Sequence, residues 1–327
     1  LHCLLHSFPT RRSSDLTSGL VQRLTTGGVA LDAAGTFADR RWDGTVALVG
    51  EGLRVDSRGQ VDLGRNRFTA MRLDGWLRRP AAVLDKMDGQ NVQLALLLDG
   101  PLNAPRFDYR LTAPWLSFGT TRMNGIEAKG EGAGGASVTQ IPLDLRVASV
   151  TGVGTLAEGI VRNLRAQGVL ALRDSVLTSD LLRVRSDGLD GRFTLLANFR
   201  SGDYAVGFDG ALPGLEIPGL GRVDLVSNLD ARRAQGGGFS VTGTARAAVR
   251  RFDNAFLRSL TGGLPLATSN LQLGSDGILR LSNLRISSPL LSLSGAGLRR
   301  ADRTFQLSGS GTHRTYGPVN VTLDGPI

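Results

Sequence analysis

The sequence predicts an all-β protein: an elongated, repetitive antiparallel sheet bent into an open groove (a β-taco), with one or two short helices. Three observations carry this expectation. Apolar and polar residues alternate in run after run, as they do on half-buried strands. Glycine is abundant, 44 of 327 residues, whereas aromatics make up 6% and hydrophobics 41%, a composition that orders without supplying many bulky core fillers. Asx-Gly pairs recur along the chain, and such pairs supply the positive φ that tight hairpins need.

In chain order, residues 1–16 (LHCLLHSFPTRRSSDL) stand apart. They share neither the glycine frequency nor the alternation of the remaining chain, and FPTRRSSDL resembles a translated sequencing-adapter fragment. They are therefore set aside, as a tag would be, and residues 17–327 are expected to form a repetitive β-sheet body of a larger protein. With that segment go Cys3, His2 and His6, which leaves His313 and no thiol. A disulfide, a CxxC redox pair and a Cys/His zinc site are all excluded on that inventory.

The first clear strand pair is Val92, Leu94, Leu96 and Leu98, followed by Phe107, Tyr109 and Leu111. Ile141, Leu143, Leu145 and Val147 continue the pattern, then Phe193, Leu195, Ala197 and Phe199, and Tyr204, Val206 and Phe208. It returns at Leu279 and Leu281, Leu284 and Ile286, Leu291 and Leu293, and Phe305 and Leu307. All of these apart from Leu98, Val147 and Ala197 are the candidate lining of a hydrophobic groove. Alternation of this kind marks antiparallel strands with one solvated face, not the continuous apolar runs of a parallel sheet. On the order of 20 strands at ~4.8 Å each are expected.

Asp-Gly at Asp43, Asp74, Asp88, Asp99, Asp187, Asp190, Asp209, Asp276 and Asp324, with Asn124-Gly125, is expected to mark the turns. Two segments break the strand pattern. Pro80–Met87 has proline placed for a first helical turn, and Phe252–Leu260 sets Phe252, Phe256, Leu257 and Leu260 on one side before Gly262-Gly263. Both predict short amphipathic helices, serving as a plug on an apolar surface or as connections that cover a sheet edge.

The formal charge is +9, and Lys86 and Lys129 are the only lysines among 38 basic residues. Arg pairs such as Arg40-Arg41, Arg78-Arg79, Arg232-Arg233, Arg250-Arg251 and Arg299-Arg300 are scattered rather than clustered with stacking aromatics, which argues for a solvated polar face and against nucleic acid. No stretch reaches the 18 or so apolar residues of a membrane helix.

The catalytic search yields no site. Gly130-Glu131-Gly132-Ala133-Gly134-Gly135 formally matches GxGxxG, but the alternating run Ile141–Val147 comes next where a dinucleotide site needs a helix, and the motif is expected to be a flexible turn. His313 has no GxSxG elbow to serve. The chain is expected to be no enzyme and to use no cofactor or metal. One reading of such a chain is a structural or adhesive β-solenoid such as an autotransporter passenger.

The segment VQLALLLDGPLNAPRFDYRLTAPWLSFG, with MNGIEAKGEG and IPLDLRV after it, resembles one repeating block of the TamB proteins in the AsmA-like family. DGILRLSNLRISSPLLSLSGAG followed by TFQLSGSGT is similar to another. The resemblance implies a body in the periplasm of a Gram-negative bacterium, anchored in the inner membrane by a segment elsewhere in the protein. Its apolar groove would carry phospholipid acyl chains between inner and outer membranes, and other regions would engage a BamA-like outer-membrane partner, TamA.

Overall fold

The computed structural model describes residues 24, 27–83, 87–119, 121–135, 137–152, 161–217, 219–234, 238–302 and 304–325. Residues 1–16 lie outside them. The protein is all-β and antiparallel, with 75% of the chain in strands, and none of the described pairings closes the sheet.

In the first half the strands are β1 (Val29–Ala38), β2 (Arg41–Gly50), β3 (Leu53–Asp62), β4 (Arg67–Leu77), β5 (Met87–Gln90), β6 (Val92–Pro101), β7 (Arg106–Phe118), β8 (Thr121–Ala133), β9 (Thr139–Thr151) and β10 (Arg162–Arg173). β11 (Val176–Arg185) follows. The second half holds β12 (Asp190–Asn198), β13 (Tyr204–Ile217), β14 (Gly221–Arg233), β15 (Phe239–Phe252), helix α1 (Ala255–Thr261), β16 (Leu266–Gly274), β17 (Leu279–Ser287), β18 (Leu291–Arg299), β19 (Phe305–His313) and β20 (Gly317–Gly325). Internal contacts divide the chain into two units, Leu1–Leu177 and Thr178–Ile327.

Each unit is a meander in which strands pair with their chain neighbours. The exception is in unit 1, where β4 pairs with β6, and β5 and β6 both pair with β7. Asn91, at φ 49°, breaks β5 from β6 while both keep one register along β7.

Most of the turns are not where Asx-Gly pairs predict them. The β1–β2 hairpin turns on Asp39-Arg40, with φ of 49° and 63°, the two-residue geometry that suits the twist of the strands. Asp187-Gly188 and Asp276-Gly277 do lie between strands. The pairs beginning at Asp43, Asp74, Asp88, Asp99, Asn124, Asp190, Asp209 and Asp324 lie inside strands. Gly130 to Ala133 likewise belong to β8 and are not a flexible turn.

The first predicted helix is a single 3₁₀ turn, Pro80–Ala82. Met87 instead belongs to β5, where it pairs with Phe118, so tertiary pairing overrides the local helical pattern; residues 84–86 lie outside the described set. The second helix forms, but starts at Ala255 because the Asn254 side chain accepts from the Phe256 and Leu257 amides, a standard way to satisfy orphan donors. Gly262, at φ 62°, ends it. Phe252 stays in β15 and is buried, while Phe256 is 70% exposed, so the two do not share a packed side.

Candidate functional site

Directly opposed residues of an antiparallel pair point to the same face, so the registers give the composition of each face. In unit 1 one lateral row runs Leu31, Leu48, Val55, Gly75, Leu94, Leu111, Ala128, Leu145 and Ala166 across β1 to β10. The next runs Ala33, Val46, Ser57, Leu73, Leu96, Tyr109, then Gly130 of β8, with Leu143 pairing Gly168 beyond it. Leu98 opposes Phe107 and Ile141 opposes Leu170 on the same side.

Unit 2 repeats the construction. Leu195, Val206, Ala231, Val241, Leu273 and Leu279 form one row, and Phe193, Phe208, Leu229, Gly243, Leu271, Leu281, Gly297, Leu307 and Leu323 another. Tyr204, Leu284, Ile286, Leu291, Leu293 and Phe305 fall on this face as well. Of the predicted lining, Phe199 alone leaves the pattern. It lies beyond β12 and is 67% exposed, because the Asn198 side chain accepts from the Arg200 and Ser201 amides and turns the chain there. Sequence periodicity missed Leu31, Leu48, Val55, Leu73, Leu229 and Leu271, whose strands carry shorter or glycine-interrupted apolar runs.

The glycines belong to this face. Gly132 opposes Phe107 and Gly130 opposes Tyr109; a Cβ on Gly132 would stand 2.6 Å from the Phe107 ring and one on Gly130 2.9 Å from the Tyr109 ring. Gly210 leaves the same room for Phe208, at 2.7 Å. In the pairs at Asp43, Asp190 and Asp209 the aspartate is exposed and the glycine makes space on the apolar face for an aromatic ring, that of Trp42 or Phe208. That is the physical reason these three pairs are not turns.

One end of each face is closed. In unit 1 Val92, Ala113, Leu116, Ile126 and Val147 form a buried cluster, with Leu77, Met87, Phe118 and Leu164 packed against it. Pro114 lacks an amide donor and Gly125 lies at φ 61°, which shifts the phase of β7 so that Ala113 and Leu116 both enter the cluster. In unit 2 Val223, Phe252 and Leu291 are buried, and a polar clasp completes the closure. The ring of His313, only 2% exposed, has Nε2 3.0 Å from the Leu260 carbonyl, while Nδ1 accepts from the Thr315 and Tyr316 amides. That pattern puts the proton on Nε2, and the ring stacks on Tyr316 at 4.6 Å. Every nitrogen of His313 is engaged in holding α1 to the β19–β20 turn.

Away from the closed ends the apolar rows are half-buried: Val147 is 2% exposed, whereas Leu94, on the neighbouring row, is 40% exposed. Tyr109 donates to the Pro142 carbonyl at 2.8 Å, and burial pushes its phenol up from its ordinary pKa, so it remains a neutral donor. The opposite face of unit 1 is polar and carries cross-linked charges, Arg54–Asp56 at 2.8 Å, Arg72–Asp74 at 2.9 Å and Arg110–Glu127 at 2.7 Å. Among the described residues no group of His, Cys, Asp and Glu is placed to hold a metal ion, and no helix is long and apolar enough to cross a membrane. No family model, no curated protein and no solved structure matches the chain.

Proposed function

We propose that the two apolar faces bind phospholipid acyl chains, and that the protein is a non-enzymatic scaffold of the bacterial envelope along which lipid passes between the inner and outer membranes. The observation that carries this reading is the half-exposed state of continuous apolar rows spanning most strands of each unit. Contiguous apolar area on that scale marks a surface that meets another apolar partner. An acyl chain gains about 0.8 kcal/mol for each methylene it removes from water. Successive strands repeat the same Leu, Val and Phe chemistry, so the gain is similar at each position and a chain slides with little preference for one site. No step of such a transfer needs a catalytic group.

The resemblance to AsmA-like proteins supplies the rest of the proposal: a periplasmic location, and engagement of a BamA-like partner such as TamA through regions other than these faces. Antiparallel pairing of chain neighbours favours this reading over a β-solenoid, whose rungs stack in parallel.

The test is native mass spectrometry of the purified full chain. Phospholipid is expected to co-purify with the wild type. Leu195→Asp or Leu281→Asp should abolish co-purification with the far-ultraviolet circular dichroism unchanged, while Arg110→Ala on the polar face should change neither. Lipid-free wild-type protein that also fails to take up added phospholipid sinks the proposal, and global unfolding by either aspartate argues for a closed core.

A further inference from the structure

Among the residues that the cross-strand pairs place on the apolar faces, two carry a charge, Arg233 and Arg299, both in unit 2. Arg233 is accounted for: it lies 3.7 Å from Asp203 and donates to the Ser201 carbonyl at 3.2 Å. Arg299 is not. It sits in register between Leu279 and Phe305, its guanidinium 5.9 Å above the Phe305 ring. Among the described residues it has no carboxylate partner. Its chain neighbour Arg300 points to the other face and pairs with Asp324 at 2.8 Å, so the Arg299-Arg300 pair is not simply a solvated polar patch.

A guanidinium set among apolar side chains is costly unless an anion joins it. Its planar fork of donors suits a phosphate, which it meets with two parallel hydrogen bonds. Position along the strand adds a second argument. Leu291, at the start of β18, is buried and pairs with His313 beside α1, whereas Arg299 ends the same strand. At ~3.3 Å per residue the two lie about 26 Å apart. The tails of one bilayer leaflet fill about 15 Å, half the hydrocarbon thickness, so a lipid whose head is at Arg299 lays its tails over Leu281, Leu284 and Leu307, which pair with Gly297 and Gly295 of the same strand, without reaching α1.

We propose that Arg299 is an anion-binding position for the headgroup phosphate of a phospholipid held on the apolar face of unit 2. The proposal rests on the acyl-chain reading above and adds to it the residue that meets the headgroup and the direction in which the lipid lies. Arg299 orients the molecule, head at the end of β18 and tails toward α1.

The test compares binding of short-chain phosphatidylglycerol, the matching diacylglycerol and the matching fatty acid to the full-length wild type, Arg299→Gln and Arg299→Lys. The wild type is expected to favour phosphatidylglycerol over diacylglycerol about tenfold, the size of a charge-assisted hydrogen-bond pair. Arg299→Gln should erase that ratio with diacylglycerol binding unchanged, and Arg299→Lys should keep part of it. Should the glutamine variant fail to fold, salt decides on the wild type: raising it from about 0.05 to 0.5 M should narrow the ratio by screening. A ratio that survives both Arg299→Gln and high salt overturns the assignment of Arg299 while leaving the acyl-chain reading intact. Fatty acid bound as tightly as phosphatidylglycerol, and lost equally on Arg299→Gln, overturns the assignment to phosphate. Failure of the wild type to bind any of the three lipids overturns the acyl-chain reading itself.

Discussion

Units 1 and 2 both bury apolar side chains at one end of the same kind of face, but only unit 2 adds a polar clasp there. Unit 1 uses burial, with Val92, Ile126 and Val147 among the least exposed side chains of the molecule. Unit 2 also buries Val223, Phe252 and Leu291 but adds hydrogen bonds, from His313 to Leu260 and from the Leu290 amide to the Thr261 carbonyl at 3.1 Å. Burial is non-directional and scales with area, so the cluster of unit 1 tolerates small shifts but not a charge. A polar clasp is directional, so the closure of unit 2 is sensitive to single atoms. The difference also marks where charge is admitted: the described apolar face of unit 1 carries none, and that of unit 2 carries arginine at the end away from its clasp.

The largest expected effect is on the burial side of this comparison. Val147→Asp should cost about 3–5 kcal/mol, the penalty of an unpaired buried charge, and should unfold unit 1 strands in urea titrations followed by circular dichroism. Leu143→Asp, on the same strand and face but half-exposed, should cost about 1–2 kcal/mol, the apolar contact it gives up. Equal costs at the two positions would erase the distinction between closed end and open face. On the hydrogen-bonding side, His313→Ala should cost about 1–3 kcal/mol by leaving the Leu260 carbonyl and two amides unpaired. Its signature is faster hydrogen exchange across residues 255–262 with β12 to β14 unaffected; unchanged protection there means the clasp is not what holds α1.

Gly132→Val should cost a similar or smaller amount, about 1–3 kcal/mol, because a Cβ there meets the Phe107 ring and, also at 2.6 Å, the Gln140 carbonyl. A thermal melt unchanged from wild type would show that the ring simply moves aside. The smallest effect is that of acid. The Gly214 amide, then Arg250, hold the Asp224 carboxyl below its ordinary value, and Arg280 does the same first for Asp276 and Arg300 for Asp324. In unit 1 the Arg65 amide, then Arg41, lower Asp62. A depressed carboxyl binds fewer protons folded than unfolded. Its stabilisation is therefore complete above the unfolded pKa of about 3.9 and is lost as pH falls below it. Denaturation midpoints should match at pH 7 and 5 and drop at pH 3, more for unit 2, which holds more of these carboxyls.

The strands were legible because alternation is a local signal: Ile141, Leu143 and Leu145 announce a face without reference to any partner. Lateral rows were not, since they depend on register, and register is a property of pairs; nothing in Gly75 or Gly130 alone says that it completes a row begun at Leu48 or Ala33. The Asx-Gly pairs misled for a related reason. Their turn propensity is real, but in Asp43-Gly44 and Asp209-Gly210 the polar-out, glycine-in alternation coincides with the same dipeptide, and packing outweighs propensity. Helix α1 was legible from its apolar spacing and the glycines that follow it, but its start was set by the Asn254 cap, which the spacing did not show; Pro80–Met87 lost its last residue to pairing with Phe118. Arg299 was hidden among paired arginines, because only the register separates it from Arg300.

The neighbour-to-neighbour pairing within each unit also constrains how such a chain changes length over evolutionary time. Successive strands run in opposite directions, so removing a hairpin, for example β18 with β19, leaves the flanking strands with the polarity and side-chain parity they need to join. Removing one strand alone leaves its neighbours parallel, with their ends on opposite sides of the sheet. Duplication and loss are therefore expected in pairs of strands, each pair bringing its own short-range contacts and folding locally.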